Sequence, residues 1–155
     1  MPRSLLGAAL LAAGCSGALP ESPAISVRGR VALEIHPEPI VARRLGADDW
    51  QFPFEVVLRE TGGVDVEIEA IRVEVRVGGF PLTRQIFDSE EVRRRGYPTI
   101  IEGGGVLQLA FAPVRRVADL RLLAFARAEI TIEAVDRYGR RSEASRALRV
   151  EMEGR

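Results

Sequence analysis

The chain has 155 residues and a mass of 17.0 kDa, with 22 Arg and no Lys set against 22 Asp and Glu, one His and one Cys. That size fits a single folded domain, the balanced charge provides no global attraction to nucleic acid or to an acidic membrane surface, and one thiol cannot close an intrachain disulfide. One His and one Cys likewise exclude a zinc site built from several such ligands, and no motif calls for a cofactor.

The first element in chain order is a leader. Arg3 precedes the apolar run Leu5–Ala13, too short for a bilayer, which takes about 20 apolar residues, but of the length of a signal-peptide core, about 7 to 15. The run ends in Leu11-Ala12-Ala13-Gly14-Cys15, which resembles the lipobox of bacterial lipoproteins, with Ala12 where that family usually has Leu. The resemblance implies removal of residues 1–14, a lipid on Cys15, and attachment to the membrane. Cleavage after Ala18, leaving Cys15 in a discarded leader, is the alternative. Ser16 in second position implies the outer membrane if the source is Gram-negative. Residues 15–24 are then the lipidated cysteine and a tether of small, polar and proline residues.

From Ile25 the period is two. Ile25, Val27, Val31, Leu33 and Ile35 predict a strand with one dry face, ended by His36-Pro37-Glu38-Pro39. Trp50 to Arg59 predicts a second, with Trp50, Phe52, Phe54, Val56 and Leu58 inward, and Glu60-Thr61-Gly62-Gly63 a turn. Val64, Val66, Ile68 and Ala70 are apolar at even positions, then Ile71, Val73, Val75 and Val77 at odd ones. A change of phase without interruption predicts a β-bulge at Ala70-Ile71. A short strand over Leu82–Phe87 follows, then a loop or single helical turn over Asp88–Gly96, then a strand within Pro98–Pro113 carrying Leu107, Leu109 and Phe111. Val114–Leu123 fits either a strand or a helical face. Ala126 to Ala134 alternates strictly, and Asp136-Arg137-Tyr138-Gly139 predicts a hairpin into a last strand with Ala144, Leu148, Val150 and Met152 inward.

About seven such runs without a long helix predict an all-β fold, an antiparallel sandwich over residues 25–152. The patterning resembles the immunoglobulin-like and fibronectin-type domains of bacterial envelope proteins, without the antibody disulfide and with Trp50 on the second strand instead of the third.

Candidate chemistry is sparse. His36 borders a proline turn and has no Gly-x-Ser-x-Gly nucleophile to serve. Asp65, Glu67 and Glu69 share the wet face of a strand, and Asp48-Asp49 lacks the oxygen count of a calcium site. Gly103-Gly104-Gly105 lacks the Lys-Ser/Thr of a phosphate loop and reads as a hinge or bulge. Arg93, Arg94 and Arg95 follow Asp88, Glu90 and Glu91, with Tyr97 the one aromatic beside them, a composition that argues against nucleic-acid binding. These four residues, within the irregular region Phe80–Gly105, form the candidate binding surface. The expectation is therefore a lipid-anchored envelope protein with a structural or protein-binding domain. An assembly accessory pairing an envelope partner through an edge strand comes second, and an envelope enzyme third.

Overall fold

The computed structural model describes residues 27–154, so the leader, Cys15 and the tether lie outside the described residues. The strands are β1 (Val31–His36), β2 (Ile40–Arg44), β3 (Asp49–Gln51), β4 (Phe54–Glu60), β5 (Val66–Val77), β6 (Phe80–Asp88), β7 (Ile100–Ile101), β8 (Val106–Phe111), β9 (Val114–Arg116), β10 (Ala126–Asp136) and β11 (Arg141–Met152), with one helical turn, α1 (Ser89–Arg94), between β6 and β7. They form a three-stranded sheet, β1-β4-β8, facing a larger one in the order β6-β5-β10-β11-β2-β3-β9, with β7 paired to β5. The all-β fold read from periodicity is correct. The chain exceeds the expected seven strands, and β2 runs parallel to β11 in an otherwise antiparallel arrangement.

The alternating strands bury the parity expected of them. Val56 and Leu58 of β4 and Leu109 of β8 face Ile68 and Ile71 of β5 and Ile130 and Ile132 of β10, all at most 1% exposed. Phe111 joins the layers, its ring 5.3 Å from that of Phe54 on β4 and 5.0 Å from that of Phe87 on β6. The change of phase in β5 is a bulge: Ala70 pairs with Glu133 and Ile68 with Ala134, so Glu69 is the extra residue, one place before the expected position.

Four expectations need correction. Ile25 and Ser26 lie outside the described residues, and residues 27–30 of the expected first strand are not strand, which starts at Val31, because the backbone before it is spent on side chains: the Gly29 amide donates to the Asp136 carboxylate (3.2 Å) and the Arg30 amide to Glu60 (3.0 Å). The segment Ile40–Arg44, for which the alternation predicts no strand, is strand because β11 supplies it with a parallel neighbour. Within the ambiguous Val114–Leu123 only Val114–Arg116 is strand, and a 3-10 turn spans Leu123–Phe125.

The fourth concerns Trp50–Arg59, which is one strand bent at Pro53. Its first part, β3, belongs to the larger sheet and its second, β4, to the smaller. The partner strand bends at Pro113, and the register holds across the corner, from Leu58↔Leu107 through Phe54↔Phe111 to Gln51↔Val114, with the Phe52 amide donating to the Pro113 carbonyl (3.0 Å) between. Proline has no N–H for the ladder, so a proline on each strand marks where pairing is interrupted and the strands change sheets.

Candidate binding cleft

The residues picked from sequence converge on α1. Asp88 caps this turn by accepting the Glu91 amide (2.8 Å), and Glu91 stands three places after the cap, where a carboxylate also suits the helix dipole. Arg94 and Arg95 lie 2.9 and 3.0 Å from Glu91, and the Arg95 guanidinium sits 4.9 Å from the Phe87 ring centre. Arg93 reaches Glu67 (3.5 Å) and the Ser89 hydroxyl (3.0 Å). The three arginines thus share one turn, each opposite a carboxylate. Tyr97 is held elsewhere: its hydroxyl accepts the Ala110 amide (3.2 Å) and donates to the Ala110 carbonyl (3.4 Å), fastening the turn to β8.

The other polar candidates are accounted for by contacts within the fold. His36 is exposed, 3.7 Å from Glu34. Asp48 pairs with Arg116 at 3.0 Å, and among the described residues no group of three or more His, Cys, Asp or Glu could hold a metal ion. Gly103 and Gly104 are part of a clamp instead of a hinge. The Gly103 amide donates to Asp65 (2.8 Å), and the Gly104 amide to the buried Glu60 (2.9 Å), which also accepts the amides of Gly62 (2.6 Å) and Gly63 (2.8 Å). Burial pushes the Glu60 carboxyl up, and the backbone amides of Arg30, Gly104, Gly62 and Gly63 outweigh it, holding the group below the ordinary glutamate value. Glu60 continues the inward parity of Phe54, Val56 and Leu58 and precedes two glycines, a signal present in the sequence but not used.

Sequence reasoning also missed a cleft. Because the larger sheet turns the corner at β3 and β9, its two edge strands, β6 and β9, approach each other without pairing, and the Arg115 guanidinium bridges them by donating to the Gln85 side-chain oxygen. Between them opens a cavity of about 460 Å³. Its floor is apolar: Val73 and Val75 of β5, Ala126 and Ala128 of β10, Val150 of β11 and Ile40 of β2. Its polar lining groups, Thr83, Gln85, Arg115, Arg116 and Asp119, come from β6, from β9 and from the turn after β9. Asp119 is paired to Arg121 (2.9 Å), whose side-chain and backbone hydrogen bonds hold its carboxyl below the ordinary value. Among the described residues Arg115 bonds only to neutral oxygens, those of Gln85 and of its own neighbour Val114 (2.8 Å).

The fold has counterparts among solved structures. The Northeast Structural Genomics Consortium target SoR45 superposes with a TM-score of 0.59 at 15% identity, covering 80% of this chain and 88% of that one. A Bordetella pertussis structure assigned to the ApaA protein gives 0.55 at 12% identity, covering 83% and 98%. At such identities the likeness establishes the β-sandwich alone. No protein family matches the chain, and no curated protein matches it in sequence.

Proposed function

We propose that the protein is a lipid-anchored component of the cell envelope whose sandwich is a binding module and not an enzyme, held to the outer membrane, in a Gram-negative source, through Cys15. Its partner is another envelope protein, engaged by the outer surface of β6 and the adjoining turn that carries Arg93, Arg94 and Arg95. The observation that carries this reading is the state of β6. It pairs on one side only, with β5, and leaves Phe80 79% and Ile86 53% exposed. A long edge strand bearing apolar side chains is a template for an added strand unless something covers it. Ion pairing of the three arginines supports a protein partner over nucleic acid, since no surplus charge is left for a phosphate chain.

The two halves of the proposal have separate tests. Mass spectrometry of the protein purified from its own membranes should find Cys15 as the N-terminal residue with an acyl mass, and an N-terminus downstream of Cys15 without one would remove the anchor. A photo-crosslinking residue at Ile86, on intact cells, should capture one envelope protein, whereas the same residue at Glu143, on the outer face of β11, should not. Identical capture patterns from both positions, or none from Ile86, would remove the binding surface. Substituting Arg93, Arg94 and Arg95 together by Gln should reduce capture at Ile86.

A further inference from the structure

The cleft lies on the inner side of β6, and nothing in the reading above assigns it an occupant. We propose that it binds a single-chain amphiphile with an anionic head group, such as a fatty acid, with the alkyl chain along the floor and the head group at Arg115.

Size comes first. A cavity of about 460 Å³ lies within the range of small-molecule sites, about 300–1,000 Å³. Its depth has a visible cause in β10, where the inward residues run Ala126, Ala128, Ile130, Ile132. The isoleucines fill the space opposite the smaller sheet, and the alanines leave it open beside β6 and β9. A domain that only needed a filled core would place larger side chains at those two positions.

Chemistry then selects the ligand. The floor residues offer no hydrogen-bonding side chain, which suits an alkyl chain and leaves a sugar or a peptide amide unsatisfied. Polar groups occur only on the walls, and there the charges do not cancel. Arg116 is balanced by Asp48 and Asp119 by Arg121, while Arg115, half-buried, has no carboxylate within 4 Å among the described residues. A guanidinium held beside an apolar surface without a counter-ion favours an anion arriving from solvent, and its planar donors match a carboxylate in two-pronged fashion. The bond to Gln85 is to a neutral acceptor, the weaker kind, so a carboxylate displaces it with net gain.

Trp50, the single tryptophan of the chain, is paired with Arg115 in the β3–β9 ladder and reports on the site. The full chain, purified without acyl-chain detergent, is titrated with dodecanoate and with dodecyltrimethylammonium below their micelle concentrations, following Trp50 fluorescence and heat. Dodecanoate should bind at least tenfold more tightly than the cationic amphiphile. Arg115→Gln should bring the two within about threefold of each other, and Ala128→Leu, which fills the floor, should abolish binding of both. Failure of dodecanoate to bind, equal affinity of the unaltered protein for both heads, or a preference that survives Arg115→Gln overturns the proposal. Should Ala128→Leu fail to fold, the head-group comparison and Arg115→Gln decide it alone.

Discussion

Glu60 ends β4 with a carboxylate only 2% exposed that collects backbone amides from three separate segments: Arg30 ahead of β1, Gly62 and Gly63 after β4, and Gly104 before β8. Asp136 repeats the device at the β10–β11 turn, accepting the amides of Gly29 (3.2 Å), Tyr138 (2.9 Å) and Arg140 (2.9 Å). There too burial pushes the carboxyl up, and the amides of Arg140, Gly29 and Tyr138 bring it below its ordinary value. Both groups favour ionisation in the folded state, so the stability they contribute is complete above the unfolded carboxylate values, about 3.9 to 4.3, and is lost as the pH falls through the lowered folded values. Glu60→Gln should cost about 1.5–3 kcal/mol at pH 7, the range of hydrogen bonds to charged groups. In urea titrations at pH 7 and pH 3 the gap between the variant and the unaltered protein should narrow at the lower pH. A gap of the same size at both would mean that the charge contributes nothing. The sequence reads Glu60 as the start of a turn although it continues the inward parity of Leu58, and its role depends on Arg30 and Gly104, whose proximity no local pattern reveals.

At the level of elements, β10 sits between β5 and β11 and shows how two faces of one strand differ. Ile132 is fully buried between the sheets, and Ile132→Ala should cost about 2–5 kcal/mol. Thr131 points the other way, toward the outer face, yet is only 8% exposed, because Arg72 and Glu133 pair beside it and its hydroxyl meets that of Ser145 at 3.0 Å. Alternation predicted its direction and not its cover, which comes from long charged side chains lying over neighbouring strands. Thr131→Ala should accordingly cost about 1 kcal/mol, the loss of one neutral hydrogen bond. Denaturant titration of the pair checks this, and equal losses would mean the outer face is packed as tightly as the core. The long strands β5, β10 and β11 were legible because each alternates over many residues. Strands β2 and β9 were not, since three to five residues carry too little pattern and owe their conformation to partners distant in the chain, and β3 was legible only as the start of the Trp50–Arg59 run.

For the molecule as a whole, the two-sheet architecture followed from counting alternating runs, whereas the corner that joins the sheets did not. Pro53 and Pro113 are plain in the sequence, but that they stand at the same bend of one ladder is a fact about pairing across some sixty residues. The cleft was hidden for the same reason: Ala126 and Ala128 read as ordinary small core residues until β6 and β9 are seen to stop short of each other. The arginine cluster shows the converse, being conspicuous in composition and locally balanced in space.

The segment ahead of β1 has a mechanical consequence. Besides the amides of Gly29 and Arg30, the Arg28 guanidinium donates to the Arg141 carbonyl, and the Arg30 carbonyl accepts the Thr61 amide (2.9 Å). A pull on the chain before Arg28 therefore meets the β10–β11 turn, the β4–β5 turn and the Glu60 clamp before any rung of the β1–β4 ladder. Load is shared among three fastenings in place of unzipping an edge strand one bond at a time, and because two of them are carboxylates, acid slackens the grip. By register the cleft lies toward the opposite end of the sandwich, where Ala126 pairs with Val77, so tension on this end is taken up before it reaches the cavity.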